Sequence, residues 1–286
     1  MNDTSCQNCQ NRIKKTFCEF CGEKRFVEKE LSLVKLLNDL FSLLTDIDGK
    51  LLKTVSLLIR KPGQLSLDYI AGIRKSRLNP IQIFLIANIF YFLFSSFYQF
   101  NTYNTPLNIH LNASNFIHKD IANELVNKEI VLTGETLKEY GAKFDAKIDV
   151  QSRSLIMLMV PIYAFFTFLF FSRAKNGGVK SLVFSAHFFS FALIFQIALY
   201  AALNILIWLS NIVFNKDLSI FLLNDTSTSL AMLFSFFVYI FLSARRLFEG
   251  SIWIIIVKSL FLAFATYWAI LLYRMILFFT TFFTMS

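Results

Sequence analysis

Charge is in short supply in this chain. Lysine, arginine, aspartate and glutamate make up 16% of its 286 residues, well below the share expected of a soluble domain. There is no Gly-rich phosphate loop, no HExxH and no Ser-His-Asp set at a defensible spacing, which removes the usual catalytic signatures. No carboxylate interrupts any of the long apolar runs, which argues against a proton- or cation-coupled transporter. No cysteine lies beyond residue 21. The stretch from Met1 to Arg25 is polar and holds no apolar core, so no signal peptide is expected there and the N-terminus is expected in the cytosol.

What is abundant is apolar. Hydrophobic residues reach 56%, mean hydropathy is +0.55, and there are 35 phenylalanines. The composition predicts an all-α integral membrane protein of about five transmembrane helices, with a small N-terminal zinc ribbon and amphipathic helices. The expected units are a ribbon over 1–25, amphipathic helices over 26–79 and a transmembrane bundle over 80–286. The spanning runs are 81–100, 153–171, 182–214, about 230–242 and 251–283. Pro161, inside the second, is tolerable where neighbouring helices satisfy the freed carbonyl. In the last run Lys258 and Arg274 bracket about 24 Å of helix. If both snorkel outward, Met275 to Phe283 should emerge and lie along the far interface.

Between the first two runs lies a polar insert, 101–152, with seven acids and five lysines. Its periodicity is poor beyond one amphipathic helix over Phe116 to Ile130, and His110 and His118 within it are expected to be solvated. The clusters Arg74/Lys75/Arg77, Arg173/Lys175/Lys180 and Arg245/Arg246 fall at alternate span ends, on one side of the membrane. That places the N-terminus inside, and the insert and C-terminus outside, a bacterial inner membrane.

Net charge is +9, and residues 1–79 carry 14 Lys/Arg against 9 Asp/Glu, a local surplus of +5. A basic head facing the anionic headgroups of a lipid bilayer accounts for this, and no nucleic acid is expected as a partner. Within the head, Cys6-Gln-Asn-Cys9 and Cys18-Glu-Phe-Cys21 form two CxxC pairs eight residues apart, followed by Gly22. Four thiolates at this spacing suit one tetrahedral structural Zn²⁺, with no position left open for a catalytic water. Disulfides are disfavoured in a reducing cytosol. Two helical segments follow, one with Leu31, Val34, Leu37, Leu40, Phe41 and Leu44 on a stripe, the other over Lys50 to Arg60.

The junction Leu57–Pro80 carries a Pro62-Gly63 turn, a short helix over Leu65 to Ile73, and then Arg74, Lys75 and Arg77. Pro80 suits the first turn of a spanning helix. These three cations are expected to hold the junction as a hinge on the membrane surface. Asp68 lies six residues before Arg74, too far for the three- or four-residue spacing that pairs side chains on one helix, so lipid phosphate or the Asp46–Asp48 turn is the expected partner. Polar residues inside the spans, Asn88, Gln99, His187, Gln196 and Asn204, mark a possible intramembrane site. His187, near the basic end of its run, suits a hydrogen-bonded interfacial histidine.

The double-CxxC ribbon, then LTDIDGKLLKTVSLLIRKPGQLSLDYIAGIRKSRLNP, then spans, resembles the DUF3667 family of bacterial membrane proteins common in Bacteroidota. Asp46, Asp48, Thr54, the Arg60-Lys61-Pro62-Gly63 turn, Tyr69-Ile70, Gly72, Arg74 and Asn79-Pro80 carry the likeness, and His187 is similar to a histidine in that family's third span. The resemblance implies fold and topology and no reaction. The expected function is a non-enzymatic scaffold or accessory subunit. Its ribbon and amphipathic helices recruit a protein partner, or a second copy of the chain. The alternative is a transporter, or a permeation or lipid-handling protein, with a polar path through the bundle. A lipid-modifying enzyme ranks third.

Overall fold

In hydrocarbon every backbone N–H and C=O must find its partner inside the segment, so the long apolar runs fold as helices. The computed structural model describes residues 4–13, 16–23, 49–98, 102–171, 176–214 and 224–285. The expected amphipathic segment over 31–44, Asp46, Asp48 and Gln99 lie outside the described residues, as do Arg173 and Lys175.

A two-residue antiparallel pair, β1 (Thr4–Ser5) with β2 (Arg12–Ile13), forms the head. α1 (Lys50–Arg60) and α2 (Gln64–Ile70) make the junction. α3 (Pro80–Tyr98) is the first long helix. α4 (Leu107–Asn112), α5 (Lys119–Thr133) and α6 (Leu137–Leu155) build the insert. A single 3₁₀ turn, Ile156–Leu158, joins α6 to α7 (Met159–Phe171). α8 (Gly177–Phe214), α9 (Asp225–Leu247) and α10 (Ile252–Met285) complete the bundle. Five helices are long and apolar enough to cross a membrane.

α3 packs along α8, α7 lies between α8 and α10, and α9 runs against α10. The core between them is aromatic: Tyr163 stacks on Phe188 at 4.8 Å and Phe171 on Phe248 at 4.0 Å. The basic ends of the helices share one face with the junction and head, here called the ribbon side. The insert sits at the opposite, far side.

Several expectations change. The insert is helical almost throughout. The second spanning helix begins at Leu137 rather than Arg153, because α6 opens with a reciprocal cap in which Thr136 and Glu139 satisfy each other's backbone N–H groups. The 3₁₀ turn ahead of Pro161 tightens the chain where that ring cannot donate.

The end of α10 does not leave the bundle either. It continues straight to Met285 and buries Leu277, Phe278, Thr281 and Phe282, with Gln151 of α6 bonded to Thr281 at 2.7 Å and to Thr284 at 2.8 Å. Nor do Lys258 and Arg274 snorkel. Lys258 Nζ donates to the Phe170 carbonyl at 2.7 Å and Arg274 to the Thr102 carbonyl at 3.0 Å, so each closes a chain end that would otherwise leave an acceptor bare.

His110 and His118 are buried rather than solvated, and they share a hydrogen bond of 2.9 Å. His118 stacks on Phe116 at 5.2 Å, and both rings lie against Phe278 of α10. Burial, the neighbouring His118 and Arg274 push the His110 imidazole down to about 3, and burial lowers His118 too. The unfolded chain takes up protons near the ordinary histidine value of 6.5 while the folded insert refuses them. Insert stability is therefore full above pH 6.5 and falls as the pH drops from there toward 3. Limited proteolysis of residues 107–133 across that window should record the loss, and His118→Phe should make the profile shallower. Identical profiles for the two proteins would mean that the pair is not the titrating element.

Candidate functional site

The head folds twice over the same design. Cys6 N–H donates to the Asn11 carbonyl at 2.8 Å and Gln10 N–H to the Cys6 carbonyl at 2.9 Å. Twelve residues on, Cys18 donates to the Glu23 carbonyl at 2.7 Å and Gly22 to the Cys18 carbonyl at 2.8 Å. Each knuckle turns on a left-handed residue, Gln10 at φ 64° and Gly22 at φ 68°. The turns bring the four expected thiols together, with Cys6 and Cys21 sulfurs 3.6 Å apart and Cys9 and Cys18 3.5 Å apart. All four lie within 4.8 Å of one another, so they can hold one metal ion. Sulfurs at the corners of a tetrahedron with metal–sulfur bonds of about 2.3 Å stand about 3.8 Å apart, and the observed spacing fits. Backbone N–H groups of Cys21 and Phe20 aim at the Cys18 sulfur and hold its thiol down to about 7.

The head is seated on the junction. Glu23, almost wholly buried, accepts the backbone N–H of Arg74 at 3.2 Å and of Lys75 at 3.1 Å. The Lys75 chain crosses over Gly22, where a Cβ would stand 1.8 Å from its ammonium. The head is thus bonded to the junction through Glu23.

The expected hinge cations are largely occupied within the chain. Arg77 pairs with Asp68, which also accepts from Gln64 at 2.8 Å. The pairing skips nine residues because Gly72, at φ 92°, reverses the chain beyond α2. Helical spacing therefore does not apply: Asp68, not expected to pair with Arg74, pairs with Arg77 instead. Arg74 lies over the Tyr69 ring at 4.7 Å.

The junction is held from both ends. Thr54, fully buried, bonds back to the Lys50 carbonyl at 2.7 Å and accepts the Leu78 N–H at 3.1 Å, which fastens the loop end to α1. Asn79 and Gln82 exchange side-chain bonds of 2.8 and 3.0 Å with each other's N–H and cap α3 around Pro80. Arg246 of α9 donates to the Pro62 carbonyl at 2.5 Å. Ser66 of α2 shares a bond of 2.7 Å with His187 Nδ1 of α8, and both side chains are buried. His187 is thus a hydrogen-bonded group at the ribbon end of its helix, where α2 docks.

Ser66→Ala leaves this imidazole without its one side-chain partner among the described residues, where Nε2 has none. It should cost about 1–3 kcal/mol in thermal unfolding of the whole chain. Ser190→Ala, which removes only a bond to its own helix, should cost much less. Equal losses would show that the Ser66–His187 bond holds nothing.

The remaining polar residues do not meet. Asn88 donates to the Arg153 carbonyl at 3.0 Å, Gln196 to the Tyr103 hydroxyl at 3.3 Å, and Asn204 to the Tyr200 carbonyl of its own helix at 2.8 Å. Phe188, Phe189 and Tyr163 fill the bundle beside His187. Among the described residues these side chains serve separate joints. Glu23 and Ser66 were not among the sequence candidates. The signal for Glu23 is its place directly after the second knuckle. That for Ser66 is a small hydroxyl among Leu65, Tyr69 and Ile70 on the buried face of α2.

No curated protein and no solved structure matches the chain. A family model does: the one described as "Protein of unknown function (DUF3667)" matches residues 48–92, which covers α1, α2, the loop that seats the head, and the first two-thirds of α3. Over that segment the chain is similar to the DUF3667 family.

Proposed function

We propose that the protein is a non-enzymatic scaffold of the bacterial inner membrane. A cytosolic zinc ribbon, held by Cys6, Cys9, Cys18 and Cys21, presents a partner-binding surface at a fixed position above the bundle. Zinc suits four thiolates in a closed tetrahedral set, which supplies folding energy and leaves no position for substrate. The observation that carries the reading is the exposure of Phe17 (57%) and Phe20 (76%) on a head whose Glu23 is locked to the junction. Two aromatic rings on a domain this small are exposed against water at a cost that a partner surface would relieve.

The test is affinity isolation from native membranes with the full chain and with Phe17→Ser/Phe20→Ser. A protein recovered by the first and lost by the second, at equal zinc content, supports the scaffold. Recovery of the same set by both overturns it.

A further inference from the structure

Besides Lys75, the exposed cations of the junction lie outside the expected hinge. Lys53 and Arg60 of α1 and Lys61 at its C-cap line a groove of about 580 Å³ together with Leu52, Ser56, Leu57, Ser76 and Arg77. Arg77 is paired with Asp68 at one end. Lys53, Arg60 and Lys61 have no carboxylate partner among the described residues. Leu52 and Leu57 give the groove its apolar lining, Leu52 is 78% exposed, and Ile59, also exposed, lies two turns on along the same face of α1. Cations around an apolar floor match an anionic amphiphile: a phosphate for the rim and a hydrocarbon chain for the floor.

Its level in the fold argues for lipid over a soluble phosphate. Ser76 and Arg77 lie immediately before Pro80, the first residue of a spanning helix. Lys61 adjoins Pro62, whose carbonyl is held by Arg246 at the end of another. The groove therefore stands where the headgroups of the ribbon-side leaflet meet the protein, and the exposed Leu52 points to the same boundary.

We propose that this groove is a binding site for the phosphate headgroup of an anionic phospholipid, with Lys53, Arg60 and Lys61 as the phosphate contacts and Leu52 and Leu57 against the upper acyl chain. The site is independent of the partner surface on the ribbon. A lipid held there would join α1 to the leaflet by a defined bond rather than by a diffuse field, and would fix the height of the junction.

The test uses the full chain, delipidated in a neutral detergent. Binding of dioctanoyl phosphatidylglycerol, dioctanoyl phosphatidylcholine and glycerol phosphate is followed by native mass spectrometry, with Lys53→Gln/Arg60→Gln/Lys61→Gln beside the parent. The parent should prefer the anionic lipid, and the triple variant should bind it about a hundredfold more weakly at unchanged metal content and thermal stability. Leu52→Gln, which keeps every cation, should weaken the lipid several-fold and leave glycerol phosphate unaffected. Undiminished binding by the triple variant overturns the proposal. So does glycerol phosphate bound as tightly as the lipid, which would assign the groove to a soluble phosphate. Displacement of the lipid by a peptide copying residues 24–48 would assign it to the chain itself and likewise overturn it.

Discussion

Replacing Gly63 with alanine is expected to cost about 4 kcal/mol, whereas the same change at Gly49 should cost only about 1 kcal/mol. Both glycines are left-handed, at φ 81° and 73°, so the conformational penalty of a side chain is nearly equal. Their surroundings differ. A Cβ at Gly49 meets nothing within 4 Å. A Cβ at Gly63 would stand 2.7 Å from the Ser243 Cα and 2.8 Å from its carbonyl oxygen, both backbone atoms of α9 that cannot rotate away. Something must shift, and the candidates are the Arg246–Pro62 bond and the seat of α2 against α8. Thermal unfolding of the two variants in detergent, with the parent as reference, separates the effects. Equal shifts for both would show that the approach of Gly63 to α9 imposes no packing constraint.

Removing the metal proposed for the four thiolates should unfold the head and leave the bundle intact. The head's own core is Cys6, Ile13 and Cys18, and its strands pair over two residues each. Burial of one isoleucine contributes about 2 kcal/mol. A structural zinc contributes about 10–16 kcal/mol in small domains of this kind, so metal binding and folding of the head are one event. Chelation should make Arg12 a fast tryptic site and, because Glu23 leaves with the head, should also open cleavage after Arg74. The unfolding temperature of the bundle should hold. A head that stays protease-resistant without metal would sink the idea.

Much of the architecture was legible because it depends on local pattern. The helix over Lys50–Arg60, the turn at Pro62-Gly63, Pro80 as the first residue of α3 and the joining of the four cysteines each follow from residues a few positions apart. The five membrane-length helices follow from apolar run length. What failed involved partners far along the chain. His110 and His118 look solvated in a polar stretch, yet their shelter is Phe278 and Phe279, supplied by the last helix. The end of α10 is superfluous to a bilayer by length alone, and its packing partner α6 lies in a polar insert whose weak periodicity does not announce a helix there. The Thr136-x-x-Glu139 capping signal was present in the sequence and marks the start of that helix. Asp68 and Arg77 obey no helical spacing, since the Gly72 reversal lies between them.

The bond between Ser66 and His187 joins residues 121 apart in the chain, and that between Pro62 and Arg246 joins residues 184 apart. Synthesis at about 5–20 residues per second separates the first pair by on the order of ten seconds. The head is therefore made first and fixed late. Until α8 and α9 are in the membrane, the turn at Gly63 has no helix to close against, and Leu65 and Tyr69 on α2 have no burial. A nascent chain cut off after α7 would carry every ligand for its metal and still present that apolar face to membrane proteases. The order of manufacture thus makes docking of the junction a report that the later helices have been inserted.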